Sequence, residues 1–575
     1  MTRLAPPLGA GVVLSLASPP FDFYPGVWLG MIALEVVLGE RSRPIVTQGM
    51  SGGAAPAAPA SSAAATARAG DGEAGAAPEH GADAARAGDE ERRARRERWA
   101  RLFEGGARGL AFGFGANLVA FRFVPEVITR FTPLPWAVGA LALVLLAAAQ
   151  GLRWMVAALV RTYLVRRGLP RWASFAAGVY AGTFFPMVFP WNPAGAVSPW
   201  PSTVQLAELA GERGVTALMA LTAGIAAAAI AAARRGDRRA LVRRAAIAFA
   251  LPIATWAWGA ARIRAVDAER AAAPTIRVGL VEPSIGATER WDARQASTIL
   301  SGLTSLTRDA ERRGADLTVW PESAYPYVVS HGSRRAPVGR LAVLGFGVRG
   351  PIVTGMITAD DAGSYNSAVV VSPDGALSTP YDKVHLLWFG ETVPLADLSP
   401  WIRRTFARGI GLTPGTAQVA LQAGPARVAV LNCFEDILPG AGREAMAVAP
   451  SLLVNVTNDA WFAGSAESEL HLRMAAMRAV EERRDFVRAV NFGPTTWIDA
   501  TGAVRGRYDP PAPGVLIATP ALLARPLTPF GRFGDAPWAL AIAALAAFGV
   551  RRGRAAAFAA GLAVDVVAPR GGEAP

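Results

Sequence analysis

Of 575 residues one is a cysteine, Cys433, and four are histidines: His80, His331, His385 and His471. A single thiol excludes an intramolecular disulfide. With no cysteine pair and no His-Glu-x-x-His run, the chain lacks metal-site spacing, so no metal and no organic cofactor is expected. Lysine is equally scarce: of 58 basic residues 57 are arginine and one is lysine, Lys383. Arginine keeps the charge but carries a permanent proton on a planar fork, so a position that needs a compact ammonium cannot accept it. Lys383 is therefore a functional candidate on composition alone. A free cysteine is commonly a small buried hydrophobe, so Cys433 needs company before it implies chemistry.

Apolar residues are abundant: 52% of the chain is hydrophobic and 18% charged. That balance suits a membrane part joined to a globular part. Residues 1–40 read as an N-terminal helical hairpin, Leu4–Ser18 and Tyr24–Leu38 flanking Pro19-Pro20-Phe21-Asp22-Phe23. Residues 41–105 read as a cytoplasmic loop, disordered over the Ala/Gly/Pro/Ser-rich Gly52–Gly88 and helical over the charged Asp89–Arg101. Residues 106–262 hold spans at Gly106–Val124, Leu134–Val160, Trp172–Phe189, Val215–Ala233 and Ala245–Ala261, and a C-terminal span covers Ala536–Val550. Counting the hairpin, the first fold element is a membrane α-helical bundle of about eight spans. Residues 551–575, with the short apolar Ala555–Ala568, read as a cytoplasmic tail.

The net charge of +13 falls mainly in alternate loops, at Arg41–Arg101, Arg161–Arg167, Arg234–Arg239 and Arg551–Arg554. It therefore orients the chain, with both termini cytoplasmic and Arg262–Asp535 on the opposite face. No nucleic-acid partner is expected. Arg122, inside a span, is expected to snorkel to an edge or face a lipid phosphate. Trp256, Trp258 and Trp461 are expected at an interface or in the core.

Within the polar block the rhythm changes to short β runs at Thr275–Val281, Leu317–Trp320, Pro351–Ile357, Ser367–Val371, Val428–Leu431 and Leu452–Val456, with helices at Ala293–Arg313 and Glu467–Arg484. This predicts an α/β layered domain over residues 275–520. Glu322 and Cys433 fall just past predicted strands, where side chains converge on a cleft, and Lys383 lies in Tyr381-Asp382-Lys383-Val384-His385-Leu386. A thiol attacks a carbonyl as thiolate, so it needs a base and a positive neighbour. Glu322, Lys383 and Cys433 supply base, oxyanion donor and nucleophile without a histidine, and Glu391 or Glu435 is available to orient the lysine. His385 and His471 are expected to pack or hydrogen-bond, and Asn455, Asn458 and Asp459 to hold turns.

These residues lie in recognisable runs. Trp320-Pro321-Glu322-Ser323-Ala324, Tyr365-Asn366-Ser367-Ala368, Tyr381–Leu386 with Phe389-Gly390-Glu391-Thr392-Val393-Pro394, and Cys433-Phe434-Glu435 resemble the nitrilase superfamily. Asn455–Phe462, His471-Leu472, Arg478–Glu481 and Arg488–Asn491, with the flanking spans, resemble the apolipoprotein N-acyltransferases of bacterial inner membranes. The likeness covers nearly the whole chain except the Gly52–Arg101 insert.

The resemblance implies a nitrilase-like αββα sandwich with Glu322 as base, Lys383 as oxyanion stabiliser and Cys433 as nucleophile, supported by Glu391 and Glu435. Trp388 replaces a common proline and Phe434 a common tyrosine, and both are assigned to substrate binding. The implied reaction moves an acyl chain from a phospholipid donor, through a cysteine thioester, to the N-terminal diacylglyceryl-cysteine of an apolipoprotein acceptor. It implies an inner-membrane enzyme among membrane lipids, its catalytic domain periplasmic, and a monomer is expected. Two other functions fit the same residues: a membrane-tethered nitrilase-type amidase, and a non-catalytic lipoprotein-binding scaffold.

Overall fold

The computed structural model describes residues 4–39, 80–132, 134–388, 390–392 and 411–565. Of the expected disordered loop, 52–79 lies outside the described residues, as do Phe389, Val393, Pro394 and 566–575. From His80 onward that loop is instead part of one helix, His80–Ala120, so the charged run and the span after it are continuous.

The globular part is a sandwich of two sheets. One runs in the order β13 (Gly514–Ala518), β1 (Val278–Glu282), β2 (Leu317–Val319), β4 (Ile352–Asp360), β5 (Gly363–Val371), β6 (Tyr381–Asp382), with β3 (Val329–Ser330) beside β4. The other runs β12 (Val504–Tyr508), β11 (Thr495–Ile498), β10 (Phe486–Asn491), β9 (Leu452–Asn458), β8 (Ala426–Asn432), β7 (Leu421–Ala423). Strands β8, β9 and β10 pair in parallel, and their apolar residues run almost unbroken because both faces are covered. Between the sheets Val278, Leu280, Val319 and Val353 meet Val428, Val430, Val454 and Val487. Helix Ala296–Arg312 covers the outside of the first sheet, and helices Pro439–Ala445 and Glu467–Glu482 cover the second. The expected αββα layering is therefore the observed one. Beyond the expected strands lie β3, β6, β7, β10, β11, β12 and β13; buried Arg488 and Asn491 interrupt the apolar run of β10, and β12 is a polar edge strand.

Among the described residues three helices are long and apolar enough to cross a bilayer, Trp136–Arg166, Ala207–Ala233 and Arg238–Ala272, or four counting the bent pair Arg95–Ala120 and Val124–Arg130. Three of the four remaining expected spans are shorter apolar helices: Ala5–Ser15, Gly26–Gly39 and, in the first part of helix Ala536–Asp565, Ala536–Gly549. At 1.5 Å per residue the first two fall short of the roughly 30 Å hydrocarbon layer. Trp172–Phe189 is helical only to Gly182, and the expected C-terminal tail is helical to Asp565.

The helices approach closely where side chains vanish. A Cβ on Gly109 would lie 2.2 Å from the Trp154 carbonyl oxygen and one on Gly113 2.7 Å from Gly151 Cα, so His80–Ala120 and Trp136–Arg166 touch backbone to backbone. Arg122 sits where the first of these bends, donating to the Pro19 carbonyl at 3.3 Å and lying over the Phe21 ring. It ties the N-terminal hairpin turn to the helix bend. Trp256 and Trp258 are exposed on Arg238–Ala272, a helix whose most apolar stretch touches little protein.

Bundle and sandwich share one core: Ile437, Leu470, Met474 and Met477 pack in the same cluster as Leu14, Val27, Phe112 and Val215. Polar ties run alongside. Helix Ala207–Ala233 breaks at Gly211 (φ 65°), and the next amide, Glu212 N–H, donates 2.7 Å to Glu481 Oε1. Arg483 donates 2.7 Å to Glu208 and 2.8 Å to Gln205.

Arg161, expected in a basic loop, lies inside helix Trp136–Arg166 with its guanidinium buried against Glu35, Nε to Oε2 2.9 Å. Losing one partner strands the other charge, so Arg161→Met should destabilise by about 3–5 kcal/mol, whereas Glu35→Leu/Arg161→Met should recover most of that. Thermal unfolding of the detergent-solubilised variants measures both.

Candidate active site

Glu322, Lys383, Glu391 and Cys433 converge between the strand ends. After β2 the chain passes Trp320-Pro321 and places Glu322 with Ser323 in the left-handed region (φ 48°). The neighbouring strand β4 supplies Gly355, where a Cβ would stand 2.5 Å from Ser323 N, so only glycine lets β4 pass this turn. Lys383 follows β6 and is 1% exposed. Its Nζ is 2.7 Å from Glu391 Oε2 and 3.3 Å from Glu322 Oε1. Cys433 closes β8 at φ 52°, a conformation that costs a non-glycine residue energy and that clusters at functional sites. Its thiol lies beside Glu322, and the residue is partly exposed.

Glu391, not Glu435, is the carboxylate on the lysine. Asn366 holds both acids in place, its Nδ2 donating 2.7 Å to Glu322 Oε1 and 2.8 Å to Glu391 Oε1. The Asn458 amide donates 3.0 Å to Glu322 Oε2, and the Leu387 amide 2.9 Å to Glu391 Oε2. Glu435 is fully buried and holds the backbone around the site: it accepts from the amides of Val384 (2.8 Å), His385 (3.0 Å) and Asn432 (2.8 Å), and from Tyr381 Oη (2.7 Å). It thereby fixes the Lys383 segment to the Cys433 turn.

Phe434 packs against the core shared with the membrane helices, while Trp388 is 55% exposed. His385 pairs with Glu444 at 2.8 Å, and His471 with Asp436 at 2.7 Å. Asn455 donates 2.9 Å to the Leu431 carbonyl and 3.3 Å to that of Cys433, shaping the nucleophile turn as expected of a turn residue. Trp461 is partly exposed. Asn366, Tyr381 and Asn432 complete the site. Their signal in the sequence was weak: each is a polar residue within a motif run, visible as functional only once its partners are known.

Charge explains the protonation states. Burial raises the Glu322 carboxyl despite the lowering charge of Lys383. Burial alone would lower the Lys383 ammonium, but Glu391 and Glu322 outweigh it and hold it protonated well above its ordinary range. Burial, and then the Glu322 charge, push the Cys433 thiol well up against the pull of Lys383. The resting cysteine is thus a thiol beside an acceptor carboxylate. Among the described residues one trio, Asp459, Glu467 and His471, brings metal-ligand atoms within 4.8 Å of one another, outside this constellation.

Residues 277–522 match the carbon-nitrogen hydrolase family, which with the two-sheet sandwich defines a nitrilase-fold protein carrying apolar membrane-type helices. Residues 94–225 match the N-terminal domain of apolipoprotein N-acyltransferases. The apolipoprotein N-acyltransferase of Geobacter metallireducens is 33% identical over 414 residues, 69% of this chain and 77% of the relative. That of Sinorhizobium medicae is 31% identical over 444 residues, 72% and 81% of the two chains. The chain belongs to the apolipoprotein N-acyltransferase family. Among solved structures, a mutant amidase of the nitrilase superfamily from Nesterenkonia aligns with a TM-score of 0.34 at 17% identity over 46% of this chain and 95% of that one.

Because Cys433 is the sole cysteine, alkylation reads that thiol alone. Its rate of reaction with iodoacetamide should rise with pH through a midpoint above the ordinary thiol value. Lys383→Met, which removes the lowering charge, should move the midpoint further up. Glu322→Gln, which removes the raising charge, should move it down. Rates against pH on folded protein measure all three.

Proposed function

We propose that the protein transfers an acyl chain from a phospholipid, through a Cys433 thioester, to the α-amino group of the N-terminal diacylglyceryl-cysteine of apolipoproteins. The observation that carries this reading is the placement of Cys433: a strand-end thiol at positive φ beside Glu322, whose next residue, Phe434, packs on the core shared with the membrane helices. A nucleophile at that seam suits two substrates anchored in one bilayer.

In the first half-reaction the Cys433 proton passes to Glu322 as Sγ attacks the ester carbonyl. Lys383 donates to the oxyanion that forms. Collapse breaks the ester C–O bond, and the leaving alkoxide takes the proton from Glu322 and departs as lysophospholipid. In the second, the amine attacks the thioester, Glu322 takes the amine proton, and the thiolate leaves and is reprotonated. Glu391 keeps the Lys383 ammonium aimed, and Glu435 holds the two segments in register. Phe434 and Trp388 are assigned to the substrate side, Phe434 along the apolar seam and Trp388 at the entrance.

The topology belongs to the same proposal. Residues 1–40 and 106–262 with 536–550 form the bundle of about eight crossings, short helices supplementing long ones. Residues 275–520 form the catalytic domain on the periplasmic face of the inner membrane, and 41–105 and 551–575 lie in the cytoplasm. The alternation of arginine-rich and arginine-poor loops supports this orientation. The protein acts as a monomer on phospholipid and apolipoprotein.

Intact-protein mass spectrometry of the detergent-solubilised chain with phospholipid and no amine tests the first half-reaction. Wild type should gain an acyl mass that a diacylglyceryl peptide with a free amino terminus discharges, and Cys433→Ala should gain none. Glu322→Gln should slow acylation by roughly 10²–10⁴-fold and Lys383→Met by roughly 10²–10³-fold. Discharge by water at a rate comparable to that by the peptide would assign an amidase. Absence of any adduct on folded wild type would overturn the reading.

A further inference from the structure

Five ionisable side chains meet beneath the ends of β8 and β9, none more than 5% exposed: Asp436 in the turn after β8, Asp459 after β9, Arg488 in β10, and Glu467 and His471 on helix Glu467–Glu482. His471 Nε2 stands 2.7 Å from Asp436 Oδ1, and its Nδ1 stands 3.4 Å from Asp459 Oδ1. Arg488 Nε lies 3.0 Å from Asp436 Oδ2. A neutral imidazole has one donor and one lone pair, so with a carboxylate facing each nitrogen only the doubly protonated ring avoids aiming a lone pair at an anion. Imidazolium and guanidinium then balance Asp436 and Asp459. At neutral pH the fifth group supplies little further charge, because burial and the neighbouring Asp459 raise the Glu467 carboxyl to about 8.

The two carboxylates that His471 joins sit on the two segments that build the site. Asp436 lies three residues beyond Cys433 in the same turn, Cys433–Ile437. Asp459 follows Asn458, whose amide holds Glu322 Oε2 at 3.0 Å. The helix carrying His471 is also the one seated on the membrane part, through Ser198 to the Arg473 carbonyl (2.9 Å), Arg478 to Glu212 (3.2 Å) and Glu481 to the Glu212 amide.

We propose that His471, as an imidazolium bridging Asp436 and Asp459, is a positioning residue that holds the Cys433 turn and the Glu322 anchor at reacting distance. This rests on the proposed roles of Cys433 and Glu322, and it adds to them a residue that touches neither substrate. His471 and Asp459, with Glu467 in place of Asp436, also have the spacing of a cation site. An imidazolium has no lone pair for a metal, and Arg488 already lies against the cluster, so the geometry favours the proton over a metal ion.

Two measurements test it. In wild type with ¹⁵N-labelled histidine, one of the four imidazoles should keep its imidazolium shifts at pH 8, because burial would strip that proton but the Asp436 and Asp459 charges outweigh it. Asp436→Asn should lower that titration. Four neutral imidazoles at pH 8 overturn the proposal, whatever the acyl-transfer assay shows. Second, in single-turnover acylation His471→Gln should slow adduct formation by about 10²-fold, the cost of displacing reacting groups by about 1 Å, with little change in the lipid concentration for half-maximal rate. Asp459→Asn should lose part of that rate, and the double variant should be no slower than His471→Gln alone. A folded His471→Gln within two-fold of wild type overturns the proposal. So does wild type that loses acylation with a chelator and regains it with zinc, which would assign a metal site. If wild type itself forms no adduct, the reading of Cys433 fails while the histidine shifts still report on the bridge.

Discussion

Lys383 is a buried ammonium clamped between two carboxylates, and the rest of the site is arranged around keeping it there. Taking such ions out of water costs several kcal/mol each, which their mutual attraction offsets only when geometry is good and the remaining polar atoms are satisfied. Both conditions hold: Asn366 bridges the two acids, and the Leu387 and Asn458 amides fill further acceptor positions. One cation facing two anions leaves a negative balance around Cys433. Burial first, and then that balance, hold the thiol protonated, and so the proposed chemistry moves its proton to Glu322 during attack and keeps no thiolate in waiting. A resting thiolate beside a bilayer would also be exposed to every electrophile dissolved in it.

The second constraint is mechanical. The sandwich does not hang from the bundle by a tether; Ile437, four residues beyond Cys433, belongs to the same apolar core as the membrane helices. The break at Gly211 is one example of how the two parts are matched. A helix interrupted by a left-handed residue frees backbone polar groups, and here the Glu212 amide is taken up by Glu481 of the globular part. Without Glu481 that buried amide would lack a partner, and without the break Glu481 would lose its donor. The site is therefore built on a surface that exists only when both parts are folded together.

Much of this was legible in the sequence because it lies in short runs with strong local chemistry. The strands β2, β4, β8 and β9 announce themselves as β-branched runs, and Glu322 and Cys433 fall at their ends. Span count was less legible, because apolar length in the sequence does not say where a helix stops: Trp172–Phe189 is apolar throughout, yet the chain leaves the helix after Gly182. Arg161 was misplaced for the converse reason. A charge near a span end reads as loop, and only the fold shows that Glu35, 126 residues earlier, waits for it inside the bundle. Partners remote in sequence, such as Asp436 with Arg488 or Asn366 with Glu391, leave no local pattern at all.

The imbalance of 57 arginines to one lysine acquires a physical meaning from these positions. Where the bundle meets the sandwich, Arg483 bonds at once to the Glu208 carboxylate, the Gln205 amide oxygen and the Ala500 carbonyl, and Arg473 reaches both Asp22 and the Ala17 carbonyl. A guanidinium suits such sites because its five donors lie in a fixed plane and can satisfy several acceptors at once. An ammonium would leave some of them unpaired. At Lys383 the requirement is opposite. Two acids already occupy it from one side, and the oxyanion proposed to form on the substrate needs a single donor that can turn toward it. A planar fork held by two carboxylates has no such freedom, whereas a tetrahedral ammonium offers a third N–H beyond the two they use. The one lysine thus stands where, in the proposed mechanism, a charge is shared between the protein and a group that forms only during reaction.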